Sequence, residues 1–156
     1  TQTGDGQHAG TRRHPLPPGC GQAVTAVPDA SVVVAALVDG GPAGAWAESV
    51  LADNQLAAPH LLLVEVANIL RRTSLAAQLS QDAADLAHAD LLDLRVALFD
   101  YETVADRIWQ LRHNVTTYDA WYVAVAERLD APLVTLDRRL STAAGPTCTF
   151  VLPPAA

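Results

Sequence analysis

In the segment 116–140, TTYDAWYVAVAERLDAPLVTLDRRL, two carboxylates fall at element ends where an acidic side chain can face a metal ion: Asp119 near the start of a helix and Asp137 directly after a strand. Two further acids extend the set. Asp29 closes the run TAVPD, repeating the placement of Asp137, and Glu65 interrupts the apolar stretch HLLLVEVANILRR. Four unpaired carboxylates gathered at one place raise one another's pKa values and stay ionised together only around a cation. Oxygen ligands without His or Cys select Mg2+ or Mn2+ over zinc. Such an ion acidifies a water, orients it toward phosphorus and neutralises charge on the leaving oxygen, which is the chemistry of phosphodiester hydrolysis. No glycine-rich phosphate loop accompanies the acids, since GGPAG at 40–44 lacks a lysine and the whole chain contains none.

Each acid also has a purely structural reading. Asp119 completes a Thr-x-x-Asp capping box with Thr116, Asp137 caps the turn after it, and Pro28-Asp29 is a common turn dipeptide. Ser31 either caps the next helix or orients Asp29. Glu65 shares a helix face with Leu61, Asn68 and Arg72, so its charge is compensated either by Asn68 and Arg72 or by a metal.

The elements that must position these residues are set by periodicity and punctuation. Thr116 or Thr117 caps a helix carrying Trp121 to Ala126 and Leu129, which stops near Asp130 because Pro132 disfavours helical geometry at Ala131. The LVTL run at 133–136 reads as a buried parallel strand, and a carboxylate at its C-terminal end enters the crevice where open α/β sheets bind ligands. Earlier in the chain, strands are expected at 24–29, 56–58 and 96–99, and helices from Ser31, over 45–52, over 60–72, and from a Ser80 cap to about Leu94. A helix over 102–113 with Asp100 as its cap and a fifth strand at 147–152 complete the set. Alternating strands and helices predict an α/β fold with a parallel sheet covered on both faces. Asp29 and Asp137 then emerge at one sheet edge. Trp46, Trp109 and Trp121 read as core anchors, the five histidines as surface or packing residues, and Asp82, Asp85, Asp90 and Asp93 as a solvated helix face.

At 156 residues and half apolar, the chain suits one domain with a real core. Residues 1–22 hold five of the nine glycines and three of the ten prolines, and read as a disordered leader or a cloning artefact ahead of a domain over 23–156. Two widely separated cysteines form neither a zinc site nor a disulfide framework, and no apolar run is long enough to cross a bilayer, so the expected location is cytoplasmic. The net charge of −7 opposes broad affinity for nucleic acid. All ten basic residues are arginine. Two pairs, Arg71-Arg72 and Arg138-Arg139, are near the acids and suit bidentate phosphate contact, or equally an ordinary solvated surface.

The string of Asp29-x-Ser31, Glu65-x-x-Asn68, YDAWYVAVAE at 118–127 and PLVTLD at 132–137 resembles the PIN-domain family, and within it the VapC-type ribonuclease toxins of toxin–antitoxin pairs. The resemblance covers 24–152, and its later motif is the most specific. It implies a three-layer αβα sandwich with a short-stranded parallel sheet, Mg2+- or Mn2+-dependent endoribonuclease activity, a homodimer, and a cognate VapB-like antitoxin that occludes the site. It further implies that Asp29, Glu65, Asp119 and Asp137 are the catalytic and metal-binding quartet, supported by Ser31, Asn68 and Thr135. Pro28 departs from the family pattern, in which an aliphatic residue more commonly precedes the first acid. The competing reading is a non-catalytic module that keeps the fold and acts within a protein or repressor complex.

Overall fold

The computed structural model describes residues 24–155; the leader expected over 1–22 lies outside the described residues. Five parallel strands run β1 (Thr25–Pro28), β2 (Gln55–Pro59), β3 (Val96–Phe99), β4 (Leu133–Val134) and β5 (Phe150–Val151), in the spatial order β3-β2-β1-β4-β5. The sheet therefore grows one way from β1 through β2 and β3, and the other way through β4 and β5. Helices cover both faces, giving the three-layer α/β architecture: α1 (Ala30–Val38), α2 (Pro42–Asp53), α3 (Leu61–Leu75), α4 (Gln81–Asp93), α5 (Ala105–Gln110), α6 (Thr117–Leu129) and the single-turn α7 (Arg138–Ser141).

Strand alternation divides the buried side chains between two clusters. Val27 and Leu133 pack into the larger one with α3 and α6, while Ala26 and Val134 turn the other way to meet Ala47 and the half-buried Trp46 of α2. Because α6 is buried from Tyr122 through Ala126, it is apolar almost all round, as a helix lying between a sheet and α5 must be.

Pro28 occupies the last position of a central strand, where a missing N–H normally breaks the ladder. Here it falls harmlessly. Val27 and Asp29 donate to Pro132 and Val134 on the β4 side. The nitrogen of Pro28 thus faces β2, and the ladder to β2 is made at Thr25 and Ala26, ahead of the proline.

Four expectations change. The helix expected over 102–113 is a 3-10 turn at Glu102–Val104 followed by α5. Val104 leaves helical geometry at φ −133° while its β-branched side chain is buried. Asp100 does not cap that segment with its side chain; its Oδ1 lies 3.1 Å from His60 Nε2. Trp109 is no core anchor either, being 63% exposed, because Ile108 and Leu111 take the buried face of that turn. Trp121 does pack inward, edge-on to Tyr101 at 5.4 Å. The second helix starts at Pro42, not at 45, since proline is pre-set for a first helical position.

Arg107 joins α5, α6 and the loop between α7 and β5. Its Nε and Nη2 donate to Glu127 at 2.6 and 3.0 Å, and Nη2 also reaches the carbonyl of Gly145 at 2.8 Å. Gly145 presents that carbonyl from φ +103°, a conformation that L side chains rarely adopt. Burial pushes the Glu127 carboxyl up, but Arg107 and the Thr147 amide outweigh it and hold the folded pKa below the ordinary glutamate value. The pair therefore stabilises the fold above that ordinary value and ceases to do so as pH falls through the folded one. Arg107→Ala is expected to cost about 1–3 kcal/mol in urea unfolding at neutral pH. The difference from wild type should shrink as pH is lowered through the acid range.

Candidate active site

The crevice lies where the strand order reverses, outside the C-terminal ends of β1 and β4, the usual ligand position in an open α/β sheet. Asp29 leaves β1 and caps α1, its Oδ1 accepting from the Val32 amide at 3.2 Å. Ser31 Oγ donates to the same oxygen and Thr135 Oγ1 donates to Oδ2, both at 2.5 Å. Each hydroxyl also accepts a backbone N–H from the segment after β4: Leu136 to Ser31 at 3.1 Å and Asp137 to Thr135 at 2.9 Å. Ser31 is thus the residue that orients Asp29, and Asp29 is itself the cap. Through these two hydroxyls, one buried carboxylate fixes where Asp137 emerges.

Asp137 caps α7, accepting from the amides of Arg139 and Leu140 at 2.8 and 3.3 Å through one oxygen. Asp119 sits in the first turn of α6. Its amide donates to Thr116 Oγ1 at 3.1 Å, and that hydroxyl donates back to Asp119 Oδ2 at 3.0 Å. This differs from the usual capping box, in which the acid reaches the backbone N–H of the cap residue. Asp137 is thus the cap expected of it, Asp119 the acid of a modified capping box, and Asp29 a helix cap that the turn reading did not anticipate.

Glu65 is compensated by neither Arg72 nor Asn68. Tyr122 does so, donating its phenol to Oε2 at 2.6 Å across the gap from α6 to α3. Asn68 is exposed and accepts from Arg71 Nε at 3.2 Å. Sequence reasoning counted Tyr122 only as part of the apolar helix. The signal that could have found it was its spacing, three residues after Asp119 and so on the same helical face.

The electrostatics link the four acids. Burial raises the pKa of Asp29 against the opposing hydrogen bonds of Ser31, Thr135 and Val32. Burial likewise raises Glu65, opposed by the Tyr122 phenol and reinforced by the negative charges of Asp119 and Asp29. Asp119 is raised by burial, opposed by Thr116 and reinforced by the charge of Asp137. Among the described residues, no three acid, His or Cys side chains stand close enough, as oriented here, to enclose an ion. Glu65, Asp119 and Asp137 nevertheless each spend one oxygen on a local partner and leave the other without a hydrogen bond among the described residues. The donor set, carboxylate oxygens at mutually repelling sites, fits a hard divalent cation.

Asp119 and Asp137 share a cleft of about 580 Å³ with Thr116, Arg112, His113 and Arg139. Arg138 is exposed at the start of α7, beside this cleft in sequence, whereas Arg71 lines a separate groove between α3 and α4, and Arg72 is exposed on α3. Arginines 112 and 139, not the 71–72 pair, are thus the basic residues that the fold sets beside the acids.

The family model described as PIN domain matches residues 26–146, and the chain belongs to the PIN-domain family. Among individual relatives, it is 41% identical over 131 residues to Ribonuclease VapC1 of Mycobacterium tuberculosis, covering 81% of this chain and 96% of that one. Its fold is also that of two M. tuberculosis structures of 20% identity. One is VapC20, described as a sarcin-ricin loop cleaving toxin, at TM-score 0.57 with 74% of this chain and 92% of that one covered. The other is VapBC-5, a member of the VapBC toxin–antitoxin systems, at TM-score 0.52 with 85% and 99% covered.

Raised folded pKa values carry a definite sign. These acids favour folding most below their ordinary values and oppose it progressively as pH rises through the folded ones. Asp119→Asn, which keeps an acceptor for Thr116, is therefore expected to raise the thermal midpoint at pH 7 and to give no advantage at pH about 3, where the acids are protonated in both states. A midpoint unchanged or lowered at pH 7 would contradict the repulsion described here. Tyr122→Phe removes a donor from Glu65 and should move that carboxyl's titration further upward, measurable by carbon-detected NMR of the glutamate side chains.

Proposed function

We propose that this chain is a Mg2+- or Mn2+-dependent endoribonuclease toxin, held inactive by a cognate VapB-like antitoxin and acting as a homodimer in the cytoplasm. The observation that carries the reading is the electrostatically linked series Asp29, Glu65, Asp119 and Asp137 at the switch point of a PIN-family sheet. The ribonuclease name of the VapC1 relative and the toxin–antitoxin description of VapBC-5 support the activity and the partner. Among the described residues, no single helix is long and apolar enough to cross a membrane.

In this reading Glu65, Asp119 and Asp137 would hold the divalent ion with their free oxygens, with Asp29 as the fourth acid of the set. When bound, the ion supplies Lewis acidity for hydrolysis of a phosphodiester. The protein's own groups do the positioning. Ser31 and Thr135 hold Asp29 and set the exit of Asp137, Tyr122 aims Glu65, and Thr116 steadies Asp119. Arg139, on the cleft wall with Asp119 and Asp137, neutralises phosphate charge that the acids would otherwise repel.

Purified protein freed of antitoxin is expected to cut total RNA at discrete sites with Mg2+ or Mn2+ and not with EDTA. Asp29→Ala and Asp119→Ala should each lower cleavage by at least about a thousandfold, an effect of about 4 kcal/mol on the barrier, and abolish growth arrest on expression while leaving the protein folded. Undiminished cutting by either variant would sink the metal mechanism. Uncut RNA, with the fold and Mn2+ binding verified, would favour the non-catalytic module. Arg139→Ala should weaken RNA binding and reduce its logarithmic salt slope by about one.

A further inference from the structure

Folding does not account for an indole at position 109. Ile108 and Leu111 are buried and bind this turn to the core, while Trp109 remains 63% exposed. A single exposed apolar residue is ordinary, so the weight of this one lies in what stands beside it. The guanidinium of Arg112 lies over its ring, 4.9 Å from the centroid. It is fixed there by a hydrogen bond from Nη1 to the backbone carbonyl of Trp109 itself at 2.7 Å. Even with this cover, most of the ring meets solvent.

The location ties the pair to the candidate active site. Arg112 lines the same cleft as Thr116, Asp119 and Asp137. Tyr118, the other strongly exposed aromatic among the described residues, immediately precedes Asp119. The two exposed aromatics therefore bracket the cleft-lining segment 112–116, and Arg112, His113 and Arg139 supply positive or protonatable groups on its wall. Aromatic faces beside arginines at a cleft suit a strand whose bases are free to leave the stack, since every base has a π-face and every linkage a negative charge.

We propose that Trp109, with Arg112 laid across its ring, is a stacking subsite for an unpaired base of the RNA strand held at the acidic cleft. The subsite rests on the ribonuclease reading above. Its occupant is a single-stranded nucleotide, because paired bases keep their faces inside the helix. Arg112 orders the indole in advance and adds its own planar cation to the surface that receives the base. Arg139 takes the neighbouring phosphate.

The test is fluorescence anisotropy of a short fluorescein-labelled single-stranded oligoribonucleotide, and of its fully paired duplex, titrated with the whole protein in EDTA. Cleavage of total RNA with Mn2+ is measured in parallel. Trp109→Ala is expected to weaken single-strand binding roughly five- to a hundredfold, to leave duplex binding and the salt slope unchanged, and to be largely rescued by Trp109→Phe. Single-strand binding and cutting by Trp109→Ala equal to wild type would overturn the subsite and leave the nuclease standing. A Trp109→Ala protein that keeps RNA affinity but no longer retains a co-expressed antitoxin would also overturn it, making the patch a protein contact. If wild-type protein neither binds nor cuts RNA, the ribonuclease reading itself fails and the subsite falls with it.

Discussion

One buried carboxylate holds the candidate site together. Asp29 closes the central strand, caps α1 and takes hydroxyl donors on both oxygens, and those hydroxyls in turn receive amides from the chain that leaves β4. β4 is only two residues long and could not by itself fix the direction in which the chain leaves it. The hydroxyl bridges supply that direction. Without Ser31 and Thr135, the buried carboxylate of Asp29 would keep a backbone amide on one oxygen and lose its partner on the other, and the register between β1 and the exit of β4 would rest on few backbone hydrogen bonds.

The same arrangement stores unfavourable energy. Burial pushes Asp29, Glu65 and Asp119 upward, the charges of neighbouring acids add to this at Glu65 and Asp119, and local donors such as Ser31, Tyr122 and Thr116 offset it only in part. A fold optimised for stability alone would place amides or apolar groups there. The retained acids sit at a strand-order reversal, with three of them keeping one oxygen unbonded among the described residues. In the proposed reading a bound cation would offset that electrostatic cost.

Much of this was legible in the sequence, and the residues show why. The strand-then-acid pattern of LVTLD and TAVPD located Asp137 and Asp29, and the Thr-x-x-Asp spacing located Asp119 in the first turn of its helix. These are local signals, written within a few residues. The partner of Glu65 was not legible: Arg72 and Asn68 share its helix face, but Tyr122, 57 residues away in sequence, is the group that reaches it. Trp109 was misjudged because hydrophobicity alone does not say which side of a short, broken helix faces the core. The Arg71-Arg72 pair was drawn to the site by nearness to Glu65 in sequence, whereas the helix directs Arg71 into the groove beside α4.

The sequence by itself determined the alternating elements, the parallel sheet, the family resemblance and the acidic residues at the element ends, since caps, breakers and periodicity act over one or two helical turns. Tertiary structure alone decided which groups meet: Tyr122 with Glu65, Thr135 and Ser31 with Asp29, Arg107 with Glu127, and Arg112 and Arg139 with the acidic cleft. Those pairings depend on strand order and on helix rotation against the sheet, and both emerge only when the two faces of the sheet are packed at the same time.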